Sequence, residues 1–402
     1  GRIKGQGEGK ALLLVAHYDS QPNTPGAGDN ASGVAILLEI ARLMKKEAPP
    51  ENDIIFLFTD GEEYGLFGAR AFLRHPWFRD VGLVLNAEGR GNRGLSIAFE
   101  LSAENGWLVQ EYARMAPFPY ANSLSYEVYK AMPNDTDFSI FREQGLPGIN
   151  MAFIGGLAHY HSMTDTPARL SLRTLQHQGS NLLAMVQHFA RISLDAPKAP
   201  DRVFFNTLGF HLVSFPLVWN DAFLSLVAIL YVCSLLLALV QRIVRPETLL
   251  YAFFVQTGLL VGAIALSWLM NRLIQAIYPL SRHFLEGGIY HETSYFLVFF
   301  LLCLLLYGTM LRAISRKMPA FPLVISAQTI WLIFAVSVYI AAPSGAYFFL
   351  LPLLFSLTGQ LVFQVSGKTP ERNPWLYTLI HLIVLAPAVL MITPVLTLLY
   401  QA

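Results

Sequence analysis

Short apolar runs alternate with amphipathic stretches over the first 200 residues. The pattern predicts strands at residues 12–16, 53–59, 81–85, 95–99 and 148–154, the fourth of them alternating as an edge strand does. Helical spacing of apolar positions predicts helices at residues 34–43, 66–73, 105–115 and 172–192. Strands that alternate with helices predict the α/β class, with a mixed, mostly parallel sheet flanked by helices.

The second half of the chain consists of apolar runs separated by short polar connections. Each run approaches the roughly 20 residues that cross a bilayer as a helix. We therefore predict an all-α, six-helix transmembrane domain in contact with the lipid bilayer, with spans at residues 222–240, 249–270, 294–311, 321–341, 347–365 and 375–400. The predicted division is a first domain at residues 1–195, a proline-containing linker at 196–218 and the membrane domain at 219–402.

Composition agrees with this division. Of the 402 residues only 14% are charged, whereas a soluble domain has about 25%. The net charge of +1 predicts no nucleic-acid partner. Both cysteines, Cys233 and Cys303, lie in the apolar half, so we expect neither disulfides nor thiolate metal sites in the first domain. The chain begins at Gly1 in a strand-like stretch, and we expect that an N-terminal part has been removed.

Histidines and carboxylates follow the predicted strands. His17, Glu63 and Glu88 each lie within four residues of the end of a strand. Asp29 begins the next helical pattern, and His161 follows the strand at 148–154. Because the carboxyl ends of parallel strands meet at one edge of a sheet, we expect these side chains to share one site.

Two imidazoles and three carboxylates suit zinc where no thiolate is available. Two ions about 3.5–4 Å apart need a bridging carboxylate, and Asp29 is suited to that role. His17 with one remaining acid and His161 with the other would complete two open sites. Glu62 is then left as a candidate general base, and Asp19 as a partner that holds the imidazole of His17 in one tautomer.

The residues fall in five separated motifs, which are His17-Tyr18-Asp19, Gly28-Asp29-Asn30, Glu62-Glu63, Asn86-Ala87-Glu88 and His161-Ser162-Met163-Thr164-Asp165-Thr166. Their order and spacing resemble the M28 family of zinc aminopeptidases over residues 1–195. The resemblance implies a zinc-aminopeptidase-like fold with a co-catalytic pair of zinc ions. It implies that Glu62 is the base. It also implies that the zinc ligands are His17, Asp29, Glu63, Glu88 and His161.

One position departs from many soluble members of that family, which have Asp where this chain has Glu88. In this respect the chain is similar to the membrane-bound branch, which resembles the endoplasmic reticulum metallopeptidase and the fungal vacuolar membrane protease. The apolar second half fits the same branch. Residues 134–138 are similar to a family loop that lines the site.

Plainer interpretations stay open for several of these residues. Glu62 and Glu63 also suit the exposed start of a helix, and Glu88 also suits a turn. His159 shares a face with His161 in an extended segment, and we prefer His161 because the residues that follow it match the family. We expect packing, surface or interfacial roles for His75, His177, His188, His211 and His381, and a solvated loop rather than a second metal site around His283, His291 and Glu292.

These features predict an integral-membrane, zinc-dependent exopeptidase, specifically an aminopeptidase, that hydrolyses peptides with a metal-activated water and Glu62 as base. The alternatives are a glutaminyl-cyclase-like acyl transferase with a single zinc, a non-catalytic membrane receptor or scaffold, and a transporter with an accessory domain. The five ligand candidates argue against a single zinc, and the complete set with its base argues against a non-catalytic role. Paired charges, which would favour a transporter, are missing from the apolar runs.

Basic residues are concentrated in alternate connections of the membrane half. The connections after the first, third and fifth spans contain Arg242 and Arg245, then Arg312, Arg316 and Lys317, then Lys368 and Arg372, whereas Arg272 and Arg282 are spread over the longer second connection. Basic loops face the cytoplasm. We therefore expect the peptidase domain on the exoplasmic side, which is periplasmic, extracellular or lumenal.

Overall fold

The computed structural model describes residues 1–207, 209–279, 290–366 and 373–401. Four residues used in the arguments above lie outside the described residues, namely Arg282, His283, Lys368 and Arg372. The chain divides into two compact units. The first is built on Gly1–Leu217, and the second on Val218–Arg282 and His291–Leu396.

Within the described residues, six strands form the central sheet of the first unit: β1 (Arg2–Ile3), β2 (Ala11–His17), β3 (Ile54–Thr59), β4 (Val81–Gly89), β5 (Arg93–Leu101) and β6 (Gly148–Gly155). Their order is β1-β3-β2-β4-β6-β5. The four central strands are parallel, and the edge strands β1 and β5 pair antiparallel to their neighbours. The predicted mixed, mostly parallel sheet is confirmed.

Helices cover both faces of this sheet: α1 (Ser32–Met44), α2 (Phe67–Phe72), α3 (Gly106–Met115), α4 (Ser123–Ala131), α5 (Asp137–Glu143) and α6 (Leu172–Phe189). Successive residues of a strand point to opposite faces. Leu12 and Leu14 therefore pack with α1, α3 and α6, while Leu13 and Val15 pack with α2 and α5. Burial on both faces explains why β2 is a continuous apolar run rather than an alternating one.

Two segments differ from the sequence prediction. β4 does not end at residue 85 but continues through Glu88, so this acid lies within a strand and not in a turn. The segment expected to be a linker contains a hairpin of β7 (Arg202–Asn206) and β8 (Leu212–Pro216). The hairpin packs on the first unit because Phe204 is buried there, and its amide donates a hydrogen bond to Ser123 Oγ at 2.8 Å.

The second unit is helical, with α7 (Trp219–Val240), α8 (Pro246–Ile277), α9 (Glu292–Ser315), α10 (Ala320–Ala341), α11 (Tyr347–Val365) and α12 (Pro374–Gln401). Among the described residues, six helices are long and apolar enough to cross a membrane. Large apolar side chains such as Ile264 and Leu305, both 62% exposed, point away from the helix bundle. A lipid environment accounts for them, and the predicted multi-pass membrane part is confirmed.

Candidate active site

Asp29 lies between the two histidines that the sequence singled out. His17 is the last residue of β2, and its Nε2 lies 3.1 Å from Asp29 Oδ1 and 3.4 Å from Glu88 Oε2. His161 Nε2 lies 3.0 Å from the other oxygen, Asp29 Oδ2, and 3.1 Å from Glu63 Oε2. The five residues therefore meet at the carboxyl edge of the sheet, and each oxygen of Asp29 faces one imidazole.

The loop that carries Asp29 is held by hydrogen bonds on both sides. Asp165 accepts from the amides of Gly28 at 2.7 Å and Asp29 at 3.1 Å. Asn30 donates from Nδ2 to the carbonyl of Ala87 at 2.7 Å. A Cβ at position 28 would lie 2.2 Å from the carbonyl oxygen of Gly91. Glycine is required there because the backbone of the loop approaches its neighbour so closely.

Asp19 orients both His17 and the turn that carries the two glutamates. His17 Nδ1 lies 3.0 Å from the backbone carbonyl of Asp19 and 3.5 Å from its carboxylate. A carbonyl only accepts, so Nδ1 carries a proton, and Nε2 is the nitrogen that faces Asp29 and Glu88. The carboxylate of Asp19 accepts from the amides of Glu62 and Glu63, both at 3.2 Å.

His161 and its neighbour His159 have different surroundings. The ring of His159 is buried, and its Nδ1 lies 2.7 Å from Thr164 Oγ1. His161 has a positive φ of 50°, which is uncommon for a residue with a side chain. The unusual backbone directs its ring to Asp29, and Tyr160 stacks on that ring with centroids 3.7 Å apart.

Burial and charge shift the pKa values of the clustered groups. Burial raises the pKa of Glu62 to about 10, and the charge of Glu88 adds to the effect. Burial opposes a charge on His161, but hydrogen bonds with Asp29 and Glu63 outweigh it and raise the pKa of His161 to about 9. Burial opposes a charge on Asp29 as well, but hydrogen bonds with His161 and His17 outweigh it and hold the pKa of Asp29 below its usual range. Closely packed acids of this kind need a compensating cation.

The donor set suits a metal. Two groups of three side chains offer ligand atoms within 4.8 Å of one another, namely His17, Glu62 and Glu88, and Asp29, Glu63 and His161. In the described part of the chain, Glu63 Oε1 is buried without a hydrogen-bond partner. Nitrogen and carboxylate oxygen donors without thiolates match the ligand preference of zinc. The residues present therefore fit the zinc ions that the sequence predicted.

A chain of polar side chains behind Glu88 was missed from the sequence. Asn86 Nδ2 donates to Glu88 Oε1 at 2.9 Å and to Asn150 Oδ1 at 3.1 Å. Asn150 Nδ2 donates to Glu100 Oε2 at 2.9 Å, and Glu100 pairs with Arg142 at 3.1 Å. These residues stabilise the orientation of Glu88. The available signal was the presence of amides and an acid within otherwise apolar strands.

Asp137 was also given no role. It begins α5, and its Oδ2 accepts a hydrogen bond from Thr59 at the end of β3. Burial raises the pKa of Asp137 to about 7. The segment before it lines the same cavity as the clustered acids, through Asn134, Asp135 and Thr136. The apolar wall of that cavity includes Ile97, Phe99, Val128, Met132 and Ile154.

Two further histidines of the first unit, His75 and His177, make local contacts away from this cluster. His75 accepts from the amide of Trp77 at 3.2 Å. His177 is buried and accepts from the amide of Ser96 at 3.2 Å, and burial lowers its pKa.

Comparison with known proteins identifies the first unit. The model of the family described as Peptidase family M28 matches residues 1–186. This part of the chain is an M28 peptidase domain. M28 metallopeptidases are zinc-dependent, and the M28 domain of this chain holds the two groups of candidate ligands described above.

Relatives of the M28 domain include membrane proteins. The chain is 34% identical to the endoplasmic reticulum metallopeptidase 1 of Mus musculus over 250 residues, which is 60% of this chain and 27% of the relative. It is 38% identical to the vacuolar membrane protease of Candida albicans over 189 residues, or 46% of this chain and 22% of the relative. The chain thus spans about a quarter of the length of these curated relatives.

Solved structures similar to this chain include an aminopeptidase from Aneurinibacillus sp. strain AM-1, with 21% identity, coverage of 50% of this chain and 49% of that chain, and a TM-score of 0.39. A glutaminyl cyclase from an Acidobacteriales bacterium is 20% identical to this chain. The match covers 46% of this chain and 71% of the cyclase, with a TM-score of 0.36.

The support of the Asp29 loop is testable through Asp165. Asp165→Asn keeps the shape but replaces one acceptor by a donor that faces a backbone amide, which leaves a buried N–H unpaired. We expect a loss of about 1–3 kcal/mol in the free energy of unfolding and faster hydrogen exchange of the peptide that contains Gly28 and Asp29. The control is Asp195→Asn, at an exposed position. Unchanged exchange in the Asp165 variant would contradict this account of the loop.

Proposed function

We propose that this protein is a membrane-bound zinc aminopeptidase that releases residues from the N-termini of peptides. The observation that carries the proposal is the position of Asp29, with one carboxylate oxygen 3.1 Å from His17 and the other 3.0 Å from His161. One carboxylate between two imidazoles, each with a further acid beside it, is the arrangement that a pair of metal ions requires.

The proposed ligands form two overlapping sets. His17, Asp29 and Glu88 would hold one zinc ion, and Asp29, Glu63 and His161 would hold the other. Asp19 positions His17 through the hydrogen bond at Nδ1. Zinc, when bound, polarises a carbonyl oxygen and makes a nearby water more acidic.

Glu62 is the proposed general base. It lies beside His17 and Glu88, while the neighbouring Glu63 faces His161. Its carboxylate would take a proton from the water that attacks the peptide carbonyl carbon, and return that proton to the amine nitrogen as the C–N bond breaks. Burial raises the pKa of Glu62, and the positive charge of bound zinc would lower it again, so that the carboxylate is available to accept the proton.

The charge of the cavity supports an aminopeptidase. Among the described lining residues, the carboxylates are Asp29, Glu62, Glu63, Glu88 and Asp135, and the cations besides histidine are Arg70 and Arg90. Asp29, Glu63 and Glu88 would be neutralised by the zinc ions and Glu62 is the base, so Asp135 is the lining acid left to attract the α-amino group of a peptide. The apolar wall beside these acids would receive an apolar side chain.

The proposed location of the peptidase domain is the exoplasmic side of the membrane. Arg312, Arg316 and Lys317 lie at the end of α9 and in the residues after it. Basic residues resist translocation, so this connection is assigned to the cytoplasm. The M28 domain precedes the first span and would therefore lie on the opposite side of the membrane from this connection.

Replacement of Glu62 tests the catalytic proposal. Glu62→Gln keeps the volume but removes the proton acceptor, so we expect turnover of aminoacyl fluorogenic substrates to fall by a factor of about 10²–10⁴ with the zinc content unchanged. The exposed Glu143→Gln is the matched control and should retain activity. Equal turnover of N-blocked peptides by the unmodified protein would identify an endopeptidase. Loss of zinc from Glu62→Gln would make Glu62 a ligand instead.

Metal content tests the ligand sets. We expect His17→Ala and His161→Ala each to lower the zinc content from about two ions per chain to about one, because each removes the imidazole of one set. Asp29→Ala should affect both ions, and His159→Ala, whose ring faces Thr164, should affect neither. Mass spectrometry of the metals in the purified protein measures the content. A content of one ion in the unmodified protein would favour the single-zinc acyl transferase.

Labelling of single cysteines tests the location. In a background without Cys233 and Cys303, we would introduce Ala103→Cys in the M28 domain and Ser315→Cys at the end of α9, both at exposed positions. An impermeant maleimide applied from the exoplasmic side of sealed vesicles should label position 103 and spare position 315. The opposite result would place the peptidase domain in the cytoplasm.

A further inference from the structure

A second cavity lies within the helices of the second unit. It has a volume of about 550 Å³ and is bordered by α8, α9, α10 and α11, with Leu385 of α12. Ligand sites are commonly clefts of about 300–1,000 Å³ with apolar walls and a few converging polar groups. Both properties are present here, and nothing in the proposed peptidase chemistry uses this cavity.

The cavity is elongated and has one charged end. Arg312 and Ser315 border it in the last turn of α9, and Ala320 borders it at the start of α10. Trp331 also borders it, eleven residues beyond Ala320 along the same helix. At 1.5 Å per residue the cavity therefore reaches about 16 Å from the α9–α10 connection into the bundle. Its inner wall is apolar, with Leu323, Val324, Pro352, Leu353 and Leu385.

Buried amides border the middle of the cavity. Gln256 is satisfied, since Oε1 accepts from Tyr307 Oη at 3.1 Å and Nε2 donates to the carbonyl of Leu323 at 3.1 Å. Gln328 is 4% exposed and donates from Nε2 to Ser356 Oγ at 2.9 Å. Its Oε1 has no hydrogen-bond partner among the described residues. Gln328 thus offers an unused acceptor and the second hydrogen of its amide nitrogen.

Arg312 supplies charge at the outer end. Its side chain is exposed, and within the described part of the chain no carboxylate forms an ion pair with it. A guanidinium group matches a phosphate by two parallel hydrogen bonds. Arg316 and Lys317 lie in the same connection, but neither borders the cavity.

We propose that this cavity is a binding site for an anionic phospholipid. The phosphate is held by Arg312 and Ser315, the glycerol ester region meets the amide of Gln328, and an acyl chain lies along the apolar wall. The proposal does not depend on the peptidase function. Charge complementarity at one end and the apolar length of the other distinguish this ligand from a free anion and from a neutral lipid.

The experiment uses the full chain purified in a neutral detergent and stripped of lipid. Dioleoyl phosphatidylglycerol, dioleoyl phosphatidylcholine and inorganic phosphate are added separately, and native mass spectrometry measures the bound ligand. We expect the phosphatidylglycerol to bind about tenfold more tightly than the phosphatidylcholine, because both have the phosphate but the choline cation of the latter is repelled by Arg312. Inorganic phosphate should not compete, because it has no acyl chain to lie along the apolar wall.

Two variants and one control locate the site. Arg312→Gln should weaken phosphatidylglycerol binding about tenfold, and Ala327→Trp should abolish it by filling the cavity, which Ala327 borders. Arg316→Gln removes the same charge four residues away and should bind as the unmodified protein does. Circular dichroism checks the helix content of each variant. If Ala327→Trp does not fold, the result for Arg312→Gln by itself decides the test.

Three results would overturn the proposal. Equal weakening by Arg312→Gln and Arg316→Gln would show diffuse attraction to a basic surface. Equal binding of the two lipids would show that ordinary bilayer lipid fills the cavity. Competition by inorganic phosphate at the same concentration would show a simple anion site.

Discussion

The arrangement of the first unit depends on one carboxylate placed between two imidazoles. Asp29 is buried, and its two carboxylate oxygens lie 3.1 Å from His17 Nε2 and 3.0 Å from His161 Nε2. These residues come from the end of β2, the loop before α1 and the segment after β6, which meet only in the folded chain. The surrounding hydrogen bonds follow from this requirement. Asp165 holds the amide of Asp29, the carbonyl of Asp19 holds His17, and Asn86 holds Glu88.

Polar groups in the sheet make this arrangement rigid at a cost to the core. β4 places Asn86 and Glu88 in a strand that is buried along its whole length, where an unpaired polar group would be unfavourable. Asn150 and Glu100 on the neighbouring strands complete the hydrogen bonds. Such a network stabilises one geometry when it is satisfied. The strands therefore act both as the core of the domain and as the support of the site.

The second unit satisfies different constraints. Its helices expose large apolar side chains, since the bilayer takes the place of a protein core. Several of its polar residues find partners within the bundle, as Ser234 does with Gln360 at 2.8 Å and Gln364 at 3.0 Å. Gln328 is one of those polar residues whose amide oxygen has no hydrogen-bond partner among the described residues, and it borders the proposed lipid site.

The local pattern of apolar and polar residues determined much of the secondary structure of this protein. Buried strands, amphipathic helices and apolar spans are visible in the sequence because each is defined by neighbours along the chain, and the motifs around His17, Asp29 and His161 predicted one shared site. The extension of β4 through Glu88 was not visible, because acid and amide residues in a strand are stabilised only by partners such as Asn150, which is distant in sequence. The same reason hid the hairpin that follows residue 200, where Phe204 is buried by other parts of the first unit. The sequence favoured His161 over His159 only through the residues that follow it. Tertiary structure decided the choice, because His161 Nε2 lies 3.0 Å from Asp29 Oδ2 whereas Nδ1 of His159 lies 2.7 Å from Thr164 Oγ1.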